Sequence, residues 1–329
     1  MGPCDLDELV KQLKLTGHPD LLVGPEHGSD AGVYRLSPEI AIVQSADFFP
    51  PMIADAYNFG RVAAANALSD VFALGARPVT VLNLLATPKD APRDALVAML
   101  DGSQQVIQEA GAVVAGGHTI LGNTVMFGLA ATGVVHPDKL IRNITARPGD
   151  KLVLTKPLGS GITVHAHNAG QAGDEQLAGC IEVMATLSRL PAELMVKHGA
   201  HAATDITGFG LLGHALDMLS LKQVGFEIDY AAVPLMPDAE KLALAGNYPG
   251  GSKRNQEYTD EHVEFIGDAA AVRLVLNDAQ TSGGLLIALS PEQAVQLVSE
   301  LGSSPYPFEP AIIGEVVDRH VGKITVHCQ

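Results

Sequence analysis

Residues 59–74 read FGRVAAANALSDVFAL, and the fold turns on how this stretch is understood. It has helical character and its side chains are very small. It therefore reads as a helix that lets neighbouring backbone come close. Apolar strands flank it, EIAIVQSA at 39–46, ending at Asp47, and VTVLNLLA at 79–86. A helix over 92–110 and strands over 112–115 and 125–135 complete a strand-rich first half. The turn cluster ARPGD at 146–150 marks the expected boundary between a domain of residues 1–148 and a domain of residues 149–329. Beyond it, strands are expected over 151–155, 226–230, 285–289 and 312–317, with helices within 175–198 and over 210–219 and 291–301. A short opening helix over 6–13 and a loop over 24–32 precede everything else. Strands and helices alternate, yet short β runs stand side by side in the first half. The predicted class is therefore α+β rather than a doubly wound parallel sheet. No strand–GxGxxG–helix unit and no GxxxxGK[ST] loop occurs, so a nucleotide site here is neither Rossmann nor P-loop.

A chain of 329 residues, 47% hydrophobic, readily builds two cores. Its 21 basic against 37 acidic side chains give a field that repels polyanions, which excludes nucleic acid as a partner. Cys4, Cys180 and Cys328 are odd in number and far apart, the pattern of reduced thiols in a cytoplasmic protein. The acidic, amphipathic opening MGPCDLDELVKQL is no signal peptide, and no apolar run is long enough to span a bilayer. The expectation is a soluble, cytoplasmic protein with no membrane partner.

Four aspartates are oddly placed for solvation. Asp30 sits in the loop HGSDAG, Asp47 closes an apolar strand before Phe48 and Phe49, and Asp205 precedes two glycines and an apolar helix in ATDITGFGLLGH. Asp70 lies inside the small-residue helix, with Asn66 one turn earlier on the same face. Each has a plain alternative: a turn residue for Asp30, a strand end facing water for Asp47, a helix N-cap for Asp205. Asp70 is hardest to dismiss, since Asp is disfavoured inside a helix. Half-buried carboxylates need a partner, and few Lys or Arg lie near these four in sequence. A hard divalent cation such as Mg²⁺, which takes oxygen ligands and shares its shell with phosphates, suits them. Gly-rich stretches, AGGHT at 115–119, TGFGLLGH at 207–214 and TSGGLL at 281–286, offer backbone N–H groups to an anion, although each alone is as well read as a tight turn. Lys156 in TKPLGSG either reaches a phosphate or stands exposed.

Taken in order, SDAGV, SADFF, NALSDVFALGARPV, AGGHTI, LTKPLGSG, ATDITGFGLLGHALDM, PGGSKRN and DAQTSGGLL resemble the selenophosphate synthetases (selenide, water dikinases) from about residue 21 to residue 317. TDITGFGLLGH and QTSGGLL are the specific ones. The first-half motifs are shared more loosely with thiamine-monophosphate kinase and an ATP-using hydrogenase maturation factor. The resemblance implies a two-domain aminoimidazole-ribonucleotide-synthetase-like fold whose N-terminal domains pair into a dimeric β-barrel, hence a homodimer. It implies a kinase-type transferase that turns ATP, selenide and water into selenophosphate, AMP and orthophosphate. It further implies that Asp30, Asp47, Asp70 and Asp205 hold Mg²⁺. On the same basis His27, Gly28, Ser29, Asp47, Asp70, Gly117, His118 and Thr119 contact ATP. Two departures stand out. The family opens with a Gly/Cys-rich segment ending in Cys-x-x-Lys or Sec-x-x-Lys, whereas only MGPC precedes the first helix here, and Cys4 has no Lys three residues on. Ser29 also replaces the acidic residue often found before the loop aspartate. The expectation is of a complete ATP and metal site with the selenide step in doubt. The alternatives are a nucleotide-binding dimer without dikinase activity and a small-molecule kinase of the same superfamily.

Overall fold

The computed structural model describes residues 12, 16–25, 29 and 31–328, so the opening helix expected over 6–13 lies outside it save for one residue. In the first half the elements run β1 (Leu21–Val23), β2 (Gly32–Ser37), β3 (Ile40–Phe49), α1 (Ala56–Ala73), β4 (Arg77–Thr87), α2 (Arg93–Glu109), β5 (Val113–Leu121) and β6 (Met126–Val135). The strands form one sheet in the order β1-β2-β3-β6-β4-β5. Only the β4–β5 pair in it is parallel.

Alternation along β3 sets the faces of this sheet. Ala41 and Val43 are fully buried, while Gln44 and Phe48 look outward. The buried face packs on α1. The reason for the small side chains is visible where α1 crosses α2: a Cβ on Gly60 would lie 1.9 Å from the Met99 carbonyl oxygen, and one on Gly102 2.0 Å from that of Tyr57. Backbone meets backbone there, and no side chain fits.

The second half runs β7 (Lys151–Leu154), α3 (Ser160–Asn168), α4 (Asp174–Ala185), α5 (Arg189–Lys197), β8 (Ala202–Asp205), α6 (Gly210–Met218), β9 (Gly225–Asp229), α7 (Ala239–Leu244) and α8 (Gly250–Thr259). It ends with β10 (Val263–Ile266), α9 (Ala270–Leu276), β11 (Leu285–Leu289), α10 (Pro291–Gly302), β12 (Ala311–Val317) and β13 (Ile324–His327). Its mixed sheet has the order β10-β13-β9-β12-β7-β11-β8. Every residue of β11 is buried, which explains its unbroken apolar run. Leu285, Ile287 and Leu289 join the core that contains α1, whereas Leu286 and Ala288 join a separate core on the opposite face. The fold is two-domain α+β, and α1 is the element shared between its sheets.

Two expectations change. β3 does not end at Asp47 but pairs with β6 as far as Phe49 opposite Phe127. AGGHT is not a loop: β4 offers it a parallel partner, so Gly116 to Leu121 continue β5 at the sheet edge. The helices expected within 175–198 are two, separated where Thr186 turns extended.

Candidate active site

Helix α1 presents Asn66, Ser69 and Asp70, at i, i+3 and i+4, to the seam between the two sheets. Asn66 donates through Nδ2 to Asp47 Oδ2 on β3 at 3.0 Å. Ser45, two residues before Asp47 on the same strand face, donates to Asp70. Ser69 reaches the other way, to Asp205 at the end of β8, and also stands 2.7 Å from the Asn66 carbonyl oxygen. A hydroxyl has one proton, so Ser69 serves one of these two acceptors at a time. Asn66 accepts the Ser282 backbone N–H at 2.9 Å, which brings the turn before β11 to the same place. Asp47, Asp70 and Asp205, predicted from separate segments, therefore do converge.

Asp205 is 1% exposed and ends β8, while the next helix begins at Gly210 with Phe209 as its cap; it is not an N-cap. Burial pushes its carboxyl up to about 7, and the charge of Asp47 adds to this; the Ser69 hydrogen bond and the Lys156 charge pull the other way. Asp47 is likewise raised by burial, so it does not stand in water as a strand end would. Asp205 Oδ1 is buried with no hydrogen-bond partner among the described residues. An orphaned, desolvated carboxylate oxygen is a position a divalent cation fits. Among the described residues no three His, Cys, Asp or Glu side chains gather as a metal cage.

The other predicted positions divide. His27, Gly28 and Asp30, like Cys4, lie outside the described residues. Ser29 donates to the Ala31 carbonyl at 3.1 Å, a local turn contact. Gly117, His118 and Thr119 lie exposed on β5. The pairing row Asp47–Leu129–Asn83–Gly117 puts them three strands from Asp47, about 14 Å across the sheet. Lys156 is neither exposed nor free to meet a phosphate. It is 0% exposed, and its ammonium is spent on protein carbonyls. A cavity of about 790 Å³ lined by Asn58, Cys180, Met236 and Phe308 lies apart from the aspartates, none of which lines it.

The AIR synthase related protein N-terminal domain matches residues 28–135, and the C-terminal domain of the same description matches residues 147–327. A selenide, water dikinase of Porphyromonas gingivalis is 44% identical over 326 residues, 97% of this chain and 91% of its own. One of Pelobacter propionicus is 43% identical over 329 residues, 99% of this chain and 94% of its own. The chain belongs to the selenide, water dikinase family. A thiamine-monophosphate kinase from Stenotrophomonas maltophilia superposes with a TM-score of 0.69 at 20% identity, covering 94% of this chain and 92% of its own. At that identity the likeness bears on the fold.

In this member of the selenide, water dikinase family the sequence pointed to the aspartates and to Asn66, but not to the hydroxyls that orient them. Ser45 and Ser282 carry no local signal, and Lys156, singled out in TKPLGSG, does not read there as an internal anchor. Ser69 could have been suspected from its place beside Asp70, since adjacent helical residues face about 100° apart and so address different neighbours.

Proposed function

We propose that this chain makes selenophosphate from selenide, ATP and water, releasing AMP and orthophosphate. The observation that carries the reading is the meeting of Asp47, Asp70 and Asp205 on α1, with Asp205 Oδ1 left unsatisfied. Membership of the family supports the choice of reaction.

Asp47, Asp70 and Asp205, with Asp30, are the residues that would hold Mg²⁺, and His27, Gly28, Ser29, Gly117, His118 and Thr119 complete the ATP site. Bound Mg²⁺ supplies charge neutralisation on the phosphates, which phosphoryl transfer needs more than covalent help. The chain's own part is positioning. Asn66 fixes the Asp47 carboxyl, Ser45 that of Asp70 and Ser69 that of Asp205, so three carboxyl groups are oriented before any phosphate arrives. The sealed interior at Asp205 excludes water from that side of the site, which strengthens every electrostatic contact made there.

The homodimer forms through the open face and edge of the first sheet. Phe48, Leu82 and Ile120 are 51%, 44% and 53% exposed there, and among the described residues no helix covers them. A partner seated on this face offers its own β5, which answers the distance between Gly117–Thr119 and Asp47 within one chain. Residues 1–148 and 149–329 are the two domains. A cytoplasmic location agrees with Cys180 and Cys328 as free, buried thiols, and among the described residues no helix is long and apolar enough to cross a membrane.

The deciding experiment follows ³¹P resonances in a mixture of the chain, ATP, Mg²⁺ and selenide. Selenide-dependent AMP, orthophosphate and a phosphorus–selenium species are expected. ADP as the final product, or turnover indifferent to selenide, rejects the reading. Light scattering should report a dimer that Phe48→Glu dissociates, and a wild-type monomer rejects the interface.

A further inference from the structure

Lys156 follows β7 and is fully enclosed. Its Nζ donates to the carbonyl oxygens of Val183 at 2.9 Å, Thr186 at 2.5 Å and Ser282 at 2.8 Å, with the Ser282 hydroxyl oxygen at 3.3 Å. An ammonium has three protons, and these three carbonyls use them. Val183 and Thr186 belong to the last turn and cap of α4, where carbonyls lack helical partners and a cation is favoured. Lys156 therefore ties the end of α4 to the 281–284 turn.

That turn is not one the chain adopts cheaply. Ser282 has φ of 51°, a left-handed conformation unusual for a residue with a side chain, and Gly284 has φ of 86°. A Cβ on Gly284 would stand 2.9 Å from the Lys156 side chain, so turn and lysine stem are packed in contact. The strained turn aims the Ser282 N–H at Asn66 Oδ1, 2.9 Å away. With its oxygen so engaged, the Asn66 amide must point Nδ2 at Asp47 Oδ2, 3.0 Å away. One continuous path thus leads from a buried cation in the second half to a carboxylate of the first.

We propose that Lys156 is a positioning residue for the acidic site, holding the 281–284 turn so that Ser282 and Asn66 present Asp47 to Mg²⁺-bound nucleotide. This rests on the Mg²⁺-nucleotide reading given above. Lys156 itself touches no ligand; its effect passes through a backbone N–H and a side-chain amide.

The test is a double-mutant cycle on Mg²⁺-ATP affinity, measured by calorimetry with the full chain. Lys156→Gln keeps two N–H donors but loses the ammonium, and Asn66→Ala cuts the path further on. Each single change is expected to weaken binding about tenfold, and the double to bind no worse than Asn66→Ala alone, because both break one path. A merely structural lysine gives losses that multiply to about a hundredfold. That result, or wild-type affinity in a folded Lys156→Gln chain, overturns the proposal. Circular dichroism establishes folding. Should Lys156→Gln not fold, Gly284→Ala displaces the same lysine from the turn side and enters the same cycle with Asn66→Ala, with the same expected and refuting outcomes. Absence of Mg²⁺-ATP binding in the wild type would instead sink the nucleotide reading itself.

Discussion

Replacing Asp205 by Asn should make the chain more stable and a worse nucleotide binder, with the gain in stability growing from pH 5 to pH 8. In the folded chain the carboxyl is raised from 3.8 to about 7, chiefly by burial. A group raised in this way binds its proton more tightly folded than unfolded. Its contribution is therefore fully present below about pH 4 and is lost as pH climbs through about 7. At roughly 1.4 kcal/mol per pKa unit, the whole loss is about 4 kcal/mol, of which about 2 to 3 falls between pH 5 and pH 8. Asn cannot ionise and escapes this loss. It can still accept from Ser69, but its NH₂ at the Oδ1 position has no described partner, which costs about 1 kcal/mol. The net expectation is about 3 kcal/mol of added stability at pH 8 and about 1 at pH 5. Urea unfolding followed by circular dichroism, in chelator and without nucleotide, measures both values. Calorimetry in Mg²⁺-ATP should show affinity reduced at least tenfold, the trade expected where a destabilised group serves binding. A gain equal at the two pH values, or no gain at all, would show that Asp205 is not held ionised at a cost. Unchanged nucleotide affinity would remove it from the site.

Gly60→Ala drives a methyl into the Met99 carbonyl oxygen, and because backbone stands on both sides of the helix crossing the loss should be about 3 kcal/mol, read as a lower unfolding midpoint. Asp278 accepts from the Ile162 N–H, Ser252 Oγ and Gln280 Nε2 at 3.1, 3.1 and 2.8 Å. Burial raises its carboxyl to about 7, so Asp278→Asn, which turns an NH₂ toward donors on one side at about 2 kcal/mol, should by the same assay show that cost in full only below about pH 4 and offset it as pH rises through 7; a cost unchanged with pH would show that Asp278 is not held ionised against burial. Ser69→Ala removes one link to Asp205 while leaving its carboxylate, so nucleotide affinity should fall less than in Asp205→Asn; a larger fall would mean that Ser69 itself touches the ligand.

Part of the fold is legible because local pattern decides it. The run Leu285–Leu289 reads as a strand since a two-sided burial needs no alternation, and residues 59–74 read as a helix since a run of small, good helix formers is too long for a strand. AGGHT misled because two adjacent glycines signal a turn locally, while the partner that keeps them extended, β4, is some thirty residues earlier in the chain. Helices α7, α8 and α9 are short and carry little apolar periodicity, so nothing local announces them. Aspartates among apolar residues are conspicuous by chemistry, and so Asp47, Asp70 and Asp205, which the structure brings together, could be singled out. The hydroxyls that orient them are ordinary surface chemistry out of context. Lys156 was the least legible: a lysine beside a proline and two glycines suggests exposure, and only the meeting of α4 with the 281–284 turn shows three carbonyls waiting for an ammonium.

The small-residue helix explains why the site lies where it does. Ser69 and Asp70 are neighbours in sequence, yet one addresses β8 of the second sheet and the other β3 of the first. Two sheets can both reach one helix only if that helix is thin, which is what Ala63, Ala64, Ala65 and Ala67 provide. Larger side chains at those positions would push a sheet away before they touched any acidic residue. The aspartates would then remain, but Asp205 would stand in water, its carboxyl would fall back toward the ordinary carboxylate range, and the desolvated pair that suits a divalent cation would be gone. The narrowness of α1 is thus a condition of the chemistry, as well as of the packing.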